Sequence, residues 1–191
     1  MRIMYIYMHP AYDSFNGAIF QAIQEKLPEV DVFSPGTESF EPKLTIEEYQ
    51  ASMEGHYAPD VKEAQAALQK ADHVIFQFPL WWGSFPAPGK GFIDRVFAYG
   101  IAYELEGETP VPLLNGTKAS LVFTTGSPPD EFHTAGLYEN VVTGIDKHLL
   151  QFCGLELAEV LHFGDVIQES DEARQKMLEK AAAFAETLHG K

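Results

Sequence analysis

The sequence predicts an α/β fold, a doubly wound five-stranded parallel sheet with helices on both faces. Several apolar runs are nearly continuous, which is typical of strands buried on both faces of a parallel sheet. Strand-like and helix-like patterns also alternate about five times along the chain, as they do in doubly wound folds. The chain has 191 residues, of which 46% are hydrophobic. This length and composition predict a single domain over residues 1–191.

The strand patterns differ in strength. "RIMYIY" opens the chain, and the runs "HVIFQF" and "KASLVFTT" are close to purely apolar. "LELAEVLHFG" is more mixed, and "EVDVFS" is the weakest of the set. The predicted strands are residues 2–7, 29–34, 73–78, 118–125 and 155–164.

Helical patterns fill the intervals between these strands. Ser14 and Ser170 are suited to cap the first and last helices, while Gly154 and Gly190 are suited to end the last two. The segment 34–58 is rich in Pro, Glu and Ser, and we expect it to run irregularly over the surface. The predicted helices are residues 14–27, 59–71, 88–100, 137–154 and 170–190.

Charge and cysteine content exclude some classes of protein. The net charge of −15 disfavours a nucleic-acid partner, because such a partner requires a basic face. Cys153 is the single cysteine and lies in an apolar run, which excludes a disulfide scaffold and predicts a reducing cytoplasm. No apolar run approaches the roughly 20 residues of a membrane span, and we read the N-terminus as a first strand and not as a signal peptide.

In open α/β sheets, ligands bind beyond the carboxyl ends of the strands. Three loops follow strands there, residues 9–16, 79–86 and 124–132, and we expect them to meet on one rim. The first loop lacks both glycine-rich nucleotide-binding fingerprints. It instead brings His9, Ser14 and Asn16 to the start of a helix, which can form a phosphate site without glycines. The alternative is that Ser14 only caps the helix.

The second loop carries both tryptophans of the chain, Trp81 and Trp82. Flat aromatic walls suit a flat aromatic ligand, and we expect one tryptophan to contact the ligand while the other packs. The third loop, "TTGS" at 124–127, offers backbone N–H groups that can stabilise negative charge, although it can also be an ordinary turn. Together these features indicate a flavin site, and no residue pattern indicates a metal site.

Four segments resemble the flavodoxin-like NAD(P)H:quinone oxidoreductases, including their bacterial potassium-efflux ancillary and stress reductase relatives. The segments are "HP…SFN" (9–16), residues 55–103, "TTGS" (124–127) and "LLQFCGLEL" (149–157). The block "VIFQFPLWW" within 55–103 is the most specific. The resemblance implies a bound flavin (FAD favoured, FMN possible), NAD(P)H as electron donor, a quinone-like acceptor and a homodimer.

The resemblance also implies roles for individual residues. The flavin phosphate would be held by His9, Ser14, Phe15 and Asn16. The isoalloxazine and ribityl would be lined by Pro79, Leu80, Trp81, Trp82 and Gly83. The pyrimidine edge would be bordered by Thr124, Thr125, Gly126 and Ser127. Tyr103, reaching across a dimer interface, and Phe132 would lie in the substrate cavity.

Mammalian-type members of this family carry a Tyr and a His downstream of the "TTG" loop that are thought to assist hydride transfer. Counted without gaps, this chain has Phe132 and Tyr138 at those positions. Tyr138 can still donate a hydrogen bond from its phenol, and the adjacent His133 is a candidate substitute. We therefore name Tyr138 and His133 as the catalytic candidates.

The resemblance implies a reaction in which hydride passes from NAD(P)H to the flavin and then to the acceptor. One slot shared by both substrates predicts ping-pong kinetics. Two alternatives remain open at this point: a regulatory subunit that docks on a potassium-efflux-type membrane transporter, and a one-electron flavodoxin carrier.

Overall fold

A computed structural model describes residues 1–27 and 29–188. The strands are β1 (Ile3–Tyr7), β2 (Val30–Phe33), β3 (His73–Pro79), β4 (Tyr103–Glu106), β5 (Thr109–Pro112), β6 (Lys118–Thr124) and β7 (Glu156–Phe163). Five of them form a central parallel sheet in the order β2-β1-β3-β6-β7, which confirms the predicted fold class. The other two, β4 and β5, form a separate antiparallel hairpin outside this sheet.

Helices cover both faces of the sheet. The helices are α1 (Phe15–Gln24), α2 (Ile46–Met53), α3 (Lys62–Leu68), α4 (Ala87–Val96), α5 (Pro129–Thr134), α6 (Leu137–Ile145), α7 (Gln151–Cys153) and α8 (Asp171–Thr187). A short 3-10 turn (Pro59–Val61) precedes α3, and a π-helical turn (Asp146–Leu150) joins α6 to α7.

The core forms two apolar layers, one on each side of the sheet. Residues of β1 alternate between them: Met4 and Ile6 face one layer, while Ile3 and Tyr5 face the other. The first layer contains α3, α4 and the helical segment 137–153, and the second contains α1 and α8. This two-sided burial explains why the central strands are almost continuously apolar.

The helix boundaries follow the capping residues. Ser14 and Ser170 accept hydrogen bonds from the N–H groups of Gly17 and Ala173, as expected for N-caps. Gly154 ends α7 at φ 89°, a left-handed conformation that favours glycine. Gly190, expected to end the last helix, lies outside the described residues.

Three elements were not expected from the sequence. The first is α2, which lies within the segment 34–58 and is capped by Thr45, whose hydroxyl accepts from Glu48 N. The other two are the β4-β5 hairpin and α5. Both carry prolines, which obscured them: β5 is "TPVP", and prolines are tolerated only on edge strands. In α5 the proline stands at the first helical position, Pro129.

Arg95 of α4 attaches the 34–58 segment to the body of the protein. Its buried guanidinium donates to Glu48 (2.9 and 3.0 Å), to Asp60 (2.7 and 2.9 Å) and to the Glu41 carbonyl (2.7 Å). It also lies 5.1 Å from the centre of the Phe40 ring. One buried cation therefore connects four points of the surrounding chain.

Among the described residues, none of the helices combines the length and the apolar character that crossing a bilayer would require.

Candidate active site

The three loops meet on one rim, as expected. Leu80 N donates to the Thr124 carbonyl (2.9 Å), which joins the loops after β3 and β6. Asn16 Nδ2 donates to Thr124 Oγ1 (3.0 Å), which joins the start of α1 to the same point. The Trp81 ring meets the His9 ring edge-on at 6.1 Å. Direct contacts thus connect all three loops.

In the loop after β1, three side chains contact one backbone carbonyl, that of Ala11. Tyr7 Oη and Ser14 Oγ donate to it, each at 2.8 Å, and His9 Nδ1 lies 2.8 Å away. Ala11 N lies 3.1 Å from the same nitrogen, so the Ala11 backbone engages Nδ1 in either tautomer, through its N–H or through its carbonyl. The half-buried His9 ring is thereby oriented with Nε2 available to a ligand.

Two N–H groups at the start of α1 are available as well. Ser14 Oγ accepts from Gly17 N at 3.0 Å, so the expected cap is present and uses the hydroxyl. Within residues 1–27 and 29–188, the N–H groups of Phe15 and Asn16 donate to no protein acceptor. Free N–H groups at a helix N-terminus are suited to bind an anion. The backbone of Phe15 and Asn16, with His9, therefore offers the donors that a phosphate needs.

Gly17 allows this arrangement. A Cβ at this position would lie 1.8 Å from the Tyr12 carbonyl oxygen. The loop can fold back on the first turn of α1 only because this residue has no side chain.

Asn16 supplies an observation that points to a ligand. Its side chain is 5% exposed, and its Oδ1 has no hydrogen-bond partner among the described residues. A buried acceptor without a donor is costly. A ligand hydroxyl, such as those of a ribityl chain, would satisfy it. A bare phosphate would not, because a phosphate dianion has no proton to donate.

The tryptophan loop is a tight hairpin turn. Trp81 and Ser84 exchange backbone hydrogen bonds of 3.1 and 3.0 Å. The two central residues, Trp82 and Gly83, have φ of 54° and 74°, the pattern of a type I′ turn. Glycine adopts this conformation freely, whereas for tryptophan it costs on the order of 1–2 kcal/mol. Backbone strain of this kind is concentrated at functional sites.

Both tryptophans are exposed, and neither packs in the core. Trp82 is fully exposed, and Trp81 is 44% exposed with its edge near His9. The hairpin turn explains this, because it carries both side chains beyond the end of β3. Pro79 is buried and Leu80 is half-buried.

The "TTGS" loop offers two free N–H groups. Thr124 is buried against Asn16, and Thr125 N donates to the Phe163 carbonyl at 3.0 Å, so that N–H is used. In the described part of the chain, the N–H groups of Gly126 and Ser127 have no protein acceptor, and both residues are exposed. The anion-stabilising donors expected here therefore reduce to these two.

His162 of β7 belongs to this loop, although no sequence pattern singled it out. Its Nε2 lies 2.8 Å from Thr125 Oγ1, and Thr125 Oγ1 donates to the Ser127 carbonyl at 3.1 Å. Burial, with a contribution from His133 and then Lys180, lowers the pKa of His162 to about 4. Its contact is set by the register of the sheet, which pairs His162 with Phe123.

The catalytic candidates form an aromatic cluster over His162. Tyr138 stacks on His133 with ring centres 4.1 Å apart, and each ring lies 5.8 Å from His162. Burial, followed by the charges of Glu139 and Glu159, raises the pKa of Tyr138. The phenol is therefore protonated at neutral pH and can act as a donor.

Phe132, assigned to the substrate cavity, is only 6% exposed. Its ring packs against His162 at 5.2 Å. In this structure the Phe132 ring therefore packs under the aromatic cluster and is not exposed to a substrate.

Tyr103 lies far from this rim within the chain. Helix α4 starts at the rim, where Gly89 packs on Met8 just beyond β1. The chain that follows the C-terminal end of α4 reaches Ala102, whose carbonyl accepts a hydrogen bond from Leu113 N. Leu113 lies five residues before β6, near the end of the sheet where that strand begins. Tyr103 therefore stands at the opposite edge of the sheet, where its ring meets Phe152 at 4.9 Å.

Arg174 of α8 was also missed. Its guanidinium lies 5.8 Å from the Phe15 ring centre and donates to the Val166 and Ile167 carbonyls at 3.0 and 3.2 Å. Arg174 Nε is buried without a partner in the described residues. A cation with an unused donor beside the helix N-terminus adds to the anion-binding character of the rim. The helical pattern of α8 gave no signal that this side chain turns toward the rim.

These loops, at the carboxyl edge of a parallel sheet, can be compared with known families. A family model described as the flavodoxin-like fold matches residues 1–186. The chain belongs to this family. The predicted family membership is thus confirmed over nearly the whole length.

Individual relatives and a solved structure are similar to this chain over nearly its whole length. An NAD(P)H oxidoreductase of Haemophilus influenzae, described as uncharacterized, is 33% identical over 187 residues, covering 95% of this chain and 93% of that protein. The ribosyldihydronicotinamide dehydrogenase (quinone) of Rattus norvegicus is 33% identical over 202 residues, covering 93% and 87%. The structure of an NAD(P)H:quinone oxidoreductase from Methanothermobacter marburgensis matches with a TM-score of 0.87 at 25% identity, covering 99% of each chain.

Proposed function

We propose that this protein is a flavin-dependent NAD(P)H oxidoreductase that reduces quinones or related acceptors. Its relatives are named NAD(P)H oxidoreductases and quinone dehydrogenases, and the chain is an oxidoreductase of that kind. One observation carries the proposal of a flavin site. Free N–H groups at the start of α1, an exposed tryptophan pair and the free N–H groups of Gly126 and Ser127 share one rim.

The residues present fit a flavin. His9, Arg174 and the N–H groups of Phe15 and Asn16 would hold a phosphate. The buried Asn16 Oδ1 would accept from a ribityl hydroxyl, which satisfies its orphaned acceptor. Trp82 would lie along the ring system. Gly126 N and Ser127 N would donate to the pyrimidine edge.

A bound flavin supplies hydride transfer, accepting from NAD(P)H and donating to the acceptor. The chain positions the reactants and stabilises charge. Gly126 N and Ser127 N would face the negative charge that develops at the pyrimidine edge, where such donors contribute most. Tyr138, kept protonated, would add a third donor, with His133 stacked on its ring. A single slot for both substrates would give ping-pong kinetics.

We also propose a homodimer. Tyr103 stands at the opposite edge of the sheet from the tryptophan turn, so one chain cannot bring the two together. A second copy can place its Tyr103 over the rim of the first. Exposed apolar side chains surround Tyr103 and suit an interface: Tyr49, Met53, Leu105, Leu113 and Phe152. Light scattering at micromolar concentration should give about twice the 21.3 kDa chain mass.

Cys153 fits the expected cytoplasmic location. Burial raises the pKa of its thiol to about 12. The thiol is protonated and inert at neutral pH, as suits a chain that we propose works in a reducing compartment.

The test is a spectrum of the purified protein before and after anaerobic addition of NADH or NADPH. We expect a yellow protein that bleaches without any partner and recovers its colour on addition of a quinone. Chromatography of the released cofactor identifies FAD or FMN. The expectation of FAD over FMN gains no support from the described residues. A flavin that binds but never bleaches with either nicotinamide would contradict the proposed enzyme and favour a carrier or a transporter-docking subunit.

A further inference from the structure

We infer that His162 is a positioning residue for the "TTGS" loop, which it holds so that the N–H groups of Gly126 and Ser127 face the ligand. The inference rests on the proposed function, since it concerns the loop at the pyrimidine edge. His162 touches neither of the two donors directly. It acts through Thr125.

The direction of the hydrogen bonds follows from the chemistry of the partners. The Ser127 carbonyl only accepts, so the Thr125 hydroxyl must donate its single proton in that 3.1 Å bond. The remaining contact, 2.8 Å between Thr125 Oγ1 and His162 Nε2, then requires the proton on the ring nitrogen. The neutral imidazole is thus the Nε2–H tautomer, and two bonds run in series from His162 to Thr125 to Ser127.

The His162 ring is held in place by its neighbours. It stacks on Phe123 with ring centres 4.7 Å apart and planes 15° apart, and it meets Phe132 at 5.2 Å. Since these contacts hold the imidazole, its Nε2–H has one direction available. An aromatic ring with a fixed orientation is a better anchor for a loop than a flexible polar chain, because it loses less entropy on ordering.

The loop itself is held from one side only. Asp165 N donates to the Ser127 carbonyl at 2.9 Å, and Val166 N donates to the Thr125 carbonyl at 3.3 Å. Gly126 and Ser127 are exposed on the other side. The bond from His162 is the side-chain contact that fixes Thr125 beneath them. Without it, the Thr125 side chain keeps only its own bond to the Ser127 carbonyl, and nothing fixes that bond to β7.

The same ring carries the catalytic candidates. Both Tyr138 and His133 lie 5.8 Å from His162. His162 therefore connects the backbone donors with the phenol donor proposed to share their task. A displacement of this ring would move both groups relative to the ligand.

The experiment compares two substitutions of His162. His162→Phe keeps a ring that can stack on Phe123 and removes the donor. His162→Gln removes the ring and keeps an N–H that reaches about as far as Nε2. If the hydrogen bond matters, the Gln variant resembles the native protein and the Phe variant does not. A merely structural role for the aromatic ring gives the reverse order.

The first readout needs no cofactor. In the flavin-free protein, amide NMR relaxation reports the mobility of the Gly126 and Ser127 N–H groups on the picosecond to nanosecond timescale. We expect both to become mobile in His162→Phe and to stay ordered in His162→Gln. This readout keeps the inference testable even if the protein binds no flavin, in which case the proposed function fails on its own.

The second readout is the redox behaviour of the bound flavin. We expect His162→Phe to slow flavin reduction by NAD(P)H about tenfold, because it loosens the two backbone donors without removing them. A tenfold loss in binding of the reduced form makes the two-electron midpoint potential about 30 mV more negative. Thr125→Val breaks the same bonds from the other side. The His162→Phe, Thr125→Val double variant should then be no slower than either single one.

Unchanged amide mobility and unchanged potential in both His162→Phe and Thr125→Val, with each variant folded, would overturn the inference. If His162→Phe does not fold, Thr125→Val carries the test alone, since it changes volume least. Additive effects in the double variant would likewise overturn it, because they would mean that His162 and Thr125 act separately.

Discussion

Asn16 Nδ2 donates to Thr124 Oγ1 across 3.0 Å and so connects the start of α1 with the end of β6. The same amide leaves its Oδ1 buried without a partner. One side chain thus both joins two loops of the rim and presents an unsatisfied acceptor to whatever binds there.

Asn16→Asp tests this junction. The substitution removes the amide donor to Thr124 and places a negative charge beside the proposed phosphate site. We expect a folded but largely colourless protein, measured as the ratio of flavin to protein absorbance. Asn140→Asp, on an exposed position of α6, is the matched control and should retain its colour. Full flavin occupancy in Asn16→Asp would show that this loop does not hold the phosphate.

Trp82→Asn separates strain from function. Asn-Gly is the preferred pair for a type I′ turn, so we expect the free energy of unfolding to rise by about 1 kcal/mol as the strain is relieved. We expect the flavin dissociation constant to rise at the same time, because the stacking wall is lost. Urea unfolding and flavin titration measure the two effects. Trp81→Asn, outside the left-handed region, should give no gain in stability. A stabilised Trp82→Asn protein with native flavin affinity would remove Trp82 from the site.

Arg95→Met tests the attachment of the 34–58 segment. Breaking a buried ion pair leaves Glu48 without its partner, and we expect a loss of about 2 kcal/mol, below the usual range because Asp60 is half exposed. Lys90→Met, which removes the exposed pair with Asp94, should cost less than about 0.5 kcal/mol. Chemical denaturation gives both values. Equal losses would mean that burial adds nothing at Arg95.

The stability of the protein should fall as the pH drops below about 6.5. Burial lowers the pKa of both His73 and His162 to about 4. Between these values the unfolded chain binds protons that the folded chain excludes, so stability is complete above pH 6.5 and decreases toward pH 4. His73 contributes up to about 1.4 kcal/mol per pH unit. The more accessible His162 contributes less, because solvent screens its charge.

The measurement is the free energy of unfolding at several pH values between 5 and 6.5, above the range in which most carboxylates titrate. His73→Gln should flatten the slope while preserving a donor toward Ser120, which lies 2.8 Å from His73 Nε2. A native slope that His73→Gln leaves intact would assign the pH dependence to other groups.

Tyr138→Phe tests the third donor. The phenol shares its task with two backbone N–H groups, so we expect flavin reduction to slow by about tenfold, or roughly 1.4 kcal/mol. Stopped-flow reduction by NAD(P)H measures it. An unchanged rate in Tyr138→Phe with flavin bound would mean that Tyr138 only stacks on His133.

The rim could be predicted from the sequence because it depends on chain order. Parallel strands bring their carboxyl ends to one edge, so the loops that begin at His9, Pro79 and Thr124 had to meet once the strands were identified. The helix N-caps at Ser14 and Ser170 could also be predicted, because capping depends on residues close in sequence. These features need only the contacts between near neighbours in sequence and the direction of the strands.

What escaped prediction depends on register and on weak patterns. His162 reaches Thr125 because β6 and β7 pair Phe123 with His162, and no local pattern reveals that register. Helix α2 is weakly amphipathic and sits among prolines and glutamates. Trp81 is exposed because it begins a tight turn in which Trp82 adopts the left-handed conformation. The sequence alone would assign that conformation to glycine or asparagine.

Both tryptophans of the chain lie on the turn of residues 81–84, and neither lies in the core. The protein thus carries its own optical reporter at the proposed site. Indole emission should be that of water-exposed rings in the free protein. Energy transfer to a bound flavin should quench it, and unfolding should scarcely change it. Fluorescence that is commonly used to follow folding would here follow occupancy instead, without any attached dye.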